Sequence, residues 1–229
     1  MRAAAPEVLA PQELEALCRT LQAQMPTGVA LAMTRAGGDL PALYPAESAA
    51  MTRAVPRRVA EFTAGRAAAR MALSQLGVAA VAIPMGSDRA PVWPSGLCGS
   101  ISHMDGLCIA VAAREGNIAA LGIDVESAAA LDADLMPSIA TSLELRRMGG
   151  APSLAAKRLF SAKEAAYKAQ YPLSRRVFGF HTLGLAGRQA DTLTFRFAEE
   201  VSPFVAGSRI VVRQWLTEGL CLSLGVLHR

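Results

Sequence analysis

The chain has 229 residues, 52% hydrophobic and 18% charged, with a formal net charge of +4. That composition supplies a core for one large domain or two small fused ones and excludes a disordered chain. The mild positive excess suits phosphate-bearing ligands and acidic partners. The chain lacks the long Lys/Arg runs and interleaved aromatics of a dedicated nucleic-acid binder.

In chain order, PQELEALCRTLQAQM (11–25) has helical spacing and stops near Pro26, and GVALAMT (28–34) reads as a strand. A long helix is predicted over 56–77, with Pro56 suited to its start and Gly77 to its C-terminal cap. VAAVAI (78–83) follows as a strand, and MGSDRAPVWPSG (85–96) as a structured loop. Three strands come next, at 97–103, 107–114 and 119–126, separated by short breaks at MDG and EGN. A looser region extends to about residue 141. A helix is predicted from Pro152 to Gln170, closed by Tyr171 and Pro172. DTLTFRFAE, SRIVVRQWL and GLCLSLGVL alternate as strands. A helix with a meander thus occurs twice, the pattern of an α+β protein built as two similar halves. The division falls after residue 114, giving halves 1–114 and 115–229.

Cys18, Cys98, Cys108 and Cys221 form no CxxC and no zinc-type cluster, so they read as free thiols in a reducing compartment. MRAAAPEVLAPQELEAL has prolines and a glutamate where a signal peptide needs an apolar stretch. LCIAVAA, the longest uncharged apolar segment, is too short to span a bilayer. A cytoplasmic protein without membrane contact is expected.

Four constellations carry chemistry. In AALGIDVE (119–126), Ile123 and Val125 face one side of a strand, and Asp124 and Glu126 face the other with Cα atoms about 7 Å apart. Two carboxylates so placed suit a hard cation such as Mg²⁺. A hydrated strand end is the plainer alternative. In RLFSAKEAAYKAQYPL (158–173), Phe160, Glu164 and Lys168 share a helix face, with Lys163 adjacent. Glu164 is a third oxygen donor, and the two lysines are phosphate partners; the alternative is an exposed Glu–Lys pair. In GSISHMDG (99–106), His103 is a phosphate donor with Ser102 beside it. A Ser102–His103–Asp105 hydrolase is the sharper competitor, but adjacent strand residues point to opposite faces. The fourth set is basic. Arg58 and Arg66 fall on roughly one helical face and are candidate phosphate forks, with Arg89 in the proline loop, whereas Arg57 and Arg70 read as solubilising charge. Thr141-x-x-Glu144 fits a capping box.

Together and in this order, the arginine helix, RAPVWP, GSISH, GIDVE, LFSAKEAAYKAQYPL and FGF resemble the phosphopantetheinyl transferases of the Sfp type. They are most similar to the branch of enterobactin-synthetase component D, over about Glu61 to Phe180. The resemblance implies a pseudo-twofold α+β fold of two similar α/β halves. It implies transfer of the 4′-phosphopantetheine arm of coenzyme A, as substrate, to a serine of an apo acyl or peptidyl carrier protein. The by-product is adenosine 3′,5′-bisphosphate. By resemblance, Asp124, Glu126 and Glu164 hold Mg²⁺ or Mn²⁺. Glu164, Glu144 or a bound water is the base, and Lys168 stabilises the phosphate. Lys163, Arg58, Arg66, Arg89, Ser102 and His103 contact coenzyme A. The carrier is expected to be acidic and the enzyme a monomer, with Arg146, Arg147 and Met148 in the docking rim. A non-catalytic coenzyme A-binding module is the remaining alternative.

Overall fold

A computed structural model describes residues 9–229; residues 1–8, and with them the start of the N-terminal stretch read above, lie outside the described residues. The chain divides into two compact units, residues 9–121 with Arg229, and Gly122–His228. The break falls within a strand rather than after residue 114.

The N-terminal unit contains helix α1 (Pro11–Gln22), strand β1 (Val29–Arg35), a one-turn helix α2 (Pro45–Ser48), the long helix α3 (Pro56–Gln75), and strands β2 (Leu97–Met104) and β3 (Leu107–Arg114). Leu14, Leu17 and Leu21 recur at helical spacing and are the buried face of α1. Helix α3 ends as its sequence predicts. Gly77 takes φ 71°, its N–H reaches the Ser74 carbonyl at 2.9 Å, and the Val78 N–H reaches the Leu73 carbonyl at 3.1 Å. Strands β2 and β3 turn through Asp105 and Gly106, at φ 45° and 79°, the left-handed pair favoured in two-residue hairpins. The sheet order is β1-β3-β2. Small residues let α3 approach it: Ala68, Ala69 and Ala72 pack with Ala30, Ala32, Ala110 and Ala112.

The C-terminal unit begins within β4 (Ile118–Ser127). It continues through α4 (Met136–Ile139), α5 (Ser142–Met148), the long helix α6 (Pro152–Ser174), and strands β5 (Leu183–Gln189), β6 (Thr192–Phe197), β7 (Arg209–Thr217) and β8 (Leu220–His228). Its sheet runs β4-β8-β7-β6-β5. In each unit the strand before the long helix neighbours the last strand of the meander, β1 beside β3 and β4 beside β8. The duplication expected from sequence is therefore topological: strand, helix, meander, closing on the first strand.

Three expectations change. Residues 78–83 form no strand. Ile83 donates its N–H to Glu47 Oε1 at 2.8 Å, and its carbonyl accepts from Arg66 Nε at 2.6 Å, so side chains replace a neighbouring strand. Helix α6 passes through Pro172 to Ser174, because a missing N–H in the last turn costs only one bond. It stops at Arg175, φ 54°, whose N–H reaches the Tyr171 carbonyl. Strand β5 is an addition; its glycines and the irregularity between Leu185 and Gly187 hide the alternation. All four cysteines are unbridged. Among the described residues no helix is long and apolar enough to cross a membrane.

Candidate active site

In the C-terminal unit the site is set by how closely α6 lies on β4. A Cβ on Gly122 would stand 2.0 Å from the Ala165 carbonyl oxygen and 2.4 Å from the Ala169 nitrogen. Only glycine admits the helix backbone there. Ala165, Ala166 and Ala169 keep that helix face shallow and fully buried. The neighbours of those alanines, Glu164 and Lys168, are thereby held beside the acids of β4.

Asp124 is buried, 4% exposed, and its Oδ1 lies 2.7 Å from Lys168 Nζ. Glu126, half-buried, accepts from Lys157 Nζ at 3.0 Å. Burial pushes the Glu126 carboxyl above its ordinary value, Lys157 opposes this, and the charge of Asp124 adds to the rise. Burial likewise pushes Glu164 up; Lys168 opposes, while Asp124 and Glu126 push further. The three predicted carboxylates thus act on one another, with Lys157 and Lys168 offsetting part of their repulsion. Among the described residues no group of three or more His, Cys, Asp or Glu side chains is arranged as a metal centre. The donor chemistry still fits a hard divalent cation, since these are carboxylate oxygens whose mutual repulsion such an ion relieves.

Lys163, expected near a nucleotide, has a different task. It is 1% exposed, and its ammonium lies 2.8 Å from both Glu144 Oε1 and the Ile139 carbonyl. Burial lowers the lysine's pKa and the Glu144 partnership partly restores it. Glu144 completes the predicted capping box with Thr141 and also accepts from the Leu185 N–H at 2.9 Å. With both oxygens engaged inside the fold, Glu144 braces α5, α6 and β5 and is not placed as a base. Met148, expected in a docking rim, is 1% exposed in the core, and Arg147 donates to the Leu185 carbonyl; of the three rim residues Arg146 is the one that is exposed without such an anchor. The apolar faces of α5 and β5 take the side chains that the loose sequence pattern placed outside.

A cavity of about 200 Å³ opens beside Glu164, walled by Tyr167, Phe178, Phe180 and Leu183. The FGF segment closes onto α6 through edge contact of Phe178 with Tyr167, centroids 5.3 Å apart, and a tilted contact of Phe180 with Phe160, 5.5 Å apart.

The basic set belongs to the N-terminal unit. Arg58 is exposed, and its Nη1 lies 2.9 Å from His103 Nε2. Arg66, predicted on the same face, is 5% exposed instead. Its guanidinium covers the Phe62 ring at 4.1 Å, and burial lowers its pKa to about 10. Arg70 is not solubilising charge, for its Nη1 donates to both oxygens of the buried Glu47 at 2.9 Å. Arg57 is exposed and pairs with Glu61 Oε1 at 3.0 Å. Arg89 is exposed at φ 68° in a loop tightened by its own N–H to the Gly86 carbonyl. Ser102 is buried where His103 is exposed, so the two occupy opposite faces of β2, and Asp105 lies 3.9 Å from Arg57. That arrangement does not build a serine triad.

Sequence reasoning missed Glu61, Lys157 and the aromatic wall. Glu61 stands four residues after Arg57 and three after Arg58, a spacing that signals contact. Lys157 bears no periodic relation to Glu126, and only the fold brings them together.

Residues 46–113 match the family model described as "4'-phosphopantetheinyl transferase N-terminal domain", and residues 120–215 match "4'-phosphopantetheinyl transferase superfamily". The chain is 37% identical over 177 residues to 4'-phosphopantetheinyl transferase Svp of Streptomyces mobaraensis, covering 73% of this chain and 70% of that one. It is 37% identical over 155 residues to PptT of Mycobacterium tuberculosis, covering 66% and 68%. Enterobactin synthase component D of Salmonella typhi is 36% identical over 171 residues, covering 71% and 69%.

Proposed function

The chain belongs to the 4′-phosphopantetheinyl transferase superfamily and is an enzyme of that class; from that premise we propose that it moves the 4′-phosphopantetheine group of coenzyme A to a serine of an apo carrier protein, with Mg²⁺ as cofactor. The observation that carries this reading is the gathering of Asp124, Glu126, Glu164 and Lys168 on facing parts of β4 and α6.

The roles follow from the chemistry of each group. Asp124, Glu126 and Glu164 would hold the cation, whose charge would counter that of the pyrophosphate. Glu164, whose carboxylate stands beside the acids of β4 and next to the cation it would help hold, takes the serine proton directly or through a water it holds. The serine oxygen forms a bond to the phosphorus carrying pantetheine. The phosphoanhydride bond breaks, and adenosine 3′,5′-bisphosphate leaves with that bond's electron pair. Lys168 turns from Asp124 towards the developing phosphate charge. Arg58 and His103 hold a phosphate of coenzyme A, and Arg89 extends the positive edge. Arg66 shapes the segment at Ile83. The wall of Tyr167, Phe178 and Phe180 offers an apolar surface to the arm that is transferred.

The net charge of +4 and the exposed Arg146 support an acidic carrier. The relatives named enterobactin synthase component D favour a carrier of siderophore or related peptide and polyketide assembly. Incubating the protein with coenzyme A, Mg²⁺ and a panel of apo carriers, then weighing the carriers by mass spectrometry, tests the reading. Gain of one phosphopantetheine on at least one carrier is expected. No gain on any of them rejects it.

A further inference from the structure

Glu61 is a buried carboxylate that the proposed chemistry leaves without a role. It sits in the second turn of α3, 8% exposed, with Arg57 Nε 3.0 Å from Oε1. Its Oε2 lies 3.9 Å from Arg58 Nη1 and 3.9 Å from His103 Nδ1. The helix and the end of β2 are tied at this point: His103 faces Cys108 across the hairpin, and the Cys108 thiol donates to the Glu61 carbonyl.

The contact between Arg58 Nη1 and His103 Nε2, 2.9 Å, fixes the state of the ring. A guanidinium has donors only, so Nε2 is the acceptor and the imidazole is neutral with its hydrogen on Nδ1. That hydrogen faces Glu61. A phosphate is a stronger acceptor for Arg58 than an imidazole nitrogen, because the bond becomes charge-assisted on both sides. When Arg58 turns to an arriving phosphate, Nε2 is left presenting a lone pair to an anion. Uptake of one proton from water converts that repulsion into an N–H donor and leaves a cation on the ring.

We propose that Glu61 is a positioning residue for phosphate binding, which holds His103 as the Nδ1–H tautomer in the free protein and stabilises its imidazolium once a phosphate has taken Arg58. The inference rests on the reading that Arg58 and His103 hold a phosphate of coenzyme A. Among the described residues Arg58 and Glu61 on α3 approach the ring, and beside them Arg57 on α3 pairs with Glu61 and lies 3.9 Å from Asp105 in the hairpin. Across β3 the Cys108 thiol, pushed up to about 12 by burial, then by Glu61, stays neutral. Of the two acids, Glu61 is the one whose oxygen approaches Nδ1, and it offsets two guanidinium groups that disfavour an imidazolium.

Long-range ¹H–¹⁵N spectra of the full chain, with His103 assigned through His103→Ala, give the tautomer directly. The free wild type should show Nδ1–H, and added coenzyme A should bring both nitrogens to the protonated signature. Calorimetry in two buffers should show proton uptake on binding. Glu61→Gln keeps an acceptor for Arg57 and removes the charge. It should lessen the tautomer bias that Arg58 also supports, reduce proton uptake and weaken coenzyme A about tenfold, the equivalent of one unit in the imidazole pKa, while kcat at saturating coenzyme A stays unchanged. A free wild type carrying its hydrogen on Nε2 overturns the inference without any variant, which also covers a Glu61→Gln protein that fails to fold. If His103→Ala leaves coenzyme A affinity unchanged, the phosphate reading falls and takes the inference with it. If His103→Ala weakens binding and Glu61→Gln does not, only the inference falls.

Discussion

Lys168 Nζ stands 2.7 Å from Asp124 Oδ1, so the cation of α6 and the buried acid of β4 are a pair before any ligand is present. Removing one partner leaves the other's charge in a poorly solvated place. Lys168 keeps 26% of its side chain exposed, which moderates the effect. Lys168→Met should therefore cost about 2 kcal/mol, below the range of roughly 3–5 for a fully buried pair. It should also suppress transfer. The double variant Asp124→Asn/Lys168→Met should lose less stability than the two single losses summed, because the pair is broken only once. Urea midpoints of the four proteins complete the cycle, and strict additivity would mean that the contact contributes nothing.

The close approach at Gly122 predicts a sharp contrast between two glycines. Gly122→Ala drives a methyl into the Ala165 carbonyl at 2.0 Å and the Ala169 nitrogen at 2.4 Å, both backbone. Gly225→Ala meets the Ala165 carbonyl at 3.2 Å and the Ala169 methyl at 3.3 Å, which a small shift relieves. The first should cost about 3 kcal/mol or more and displace Glu164 and Lys168, ending activity; the second should cost about 1 kcal/mol and leave activity measurable. Equal denaturation midpoints for the two variants would show that α6 does not rest on Gly122.

The same glycine explains what was legible in the sequence. GIDVE and KEAAYK announce themselves by type and spacing, since the period of a strand or helix fixes which face each residue takes. Asp124 with Glu126, and Glu164 with Lys168, could each be placed on one face for that reason; naming the four together rested on the ordered resemblance of their motifs to the phosphopantetheinyl transferases, while the helix-plus-meander duplication came from periodicity. What periodicity does not reveal is whether a charge at a helix position is answered from elsewhere. Arg70 reads as solubilising charge and Lys163 as a phosphate partner until Glu47 and Glu144 arrive from distant segments. Met148 sits in a short amphipathic helix whose partner strand, β5, was itself obscured by glycines. Segment 78–83 has the composition of a strand and lacks a neighbour, and β structure needs one.

The three-acid assignment predicts a metal effect apart from turnover. Asp124 raises the pKa of Glu126 and both raise that of Glu164, so the carboxylates repel when ionised and a cation bound among them stabilises the fold by mass action, about 2.7 kcal/mol at a hundredfold excess over its dissociation constant. Thermal melting in chelator and in excess Mg²⁺ should show an upward shift for the wild type. The shift should shrink in Glu126→Gln and vanish in Asp124→Asn. Chelator should stop carrier modification, and restoring Mg²⁺ should return it. An equal shift in all three proteins would place the ion elsewhere.

Glu144 gives a prediction in pH that needs no ligand. Burial acts against its ionisation, but the Lys163 ammonium and the N–H groups of Thr141 and Leu185 outweigh burial and hold the carboxyl below its ordinary 4.5. A carboxylate whose pKa is lower in the folded than in the unfolded chain contributes stability that is present above the unfolded value. That contribution is lost as pH falls through the folded one. At pH 7 Glu144→Gln should thus be destabilised by about 3 kcal/mol, because it also strands the Lys163 ammonium in the interior. As pH falls below the ordinary 4.5 the wild type should progressively lose its advantage as Glu144 takes up its proton, so the two midpoints in urea approach each other. Lys163→Met tests the other half: it leaves Glu144 buried with only the Thr141 hydroxyl and backbone N–H groups as donors, so its carboxyl should titrate at higher pH and its acid transition begin earlier than the wild type's. A gap between wild type and Glu144→Gln that stays constant from pH 7 to pH 3 would show that the ionised carboxylate is not what braces α5 against α6.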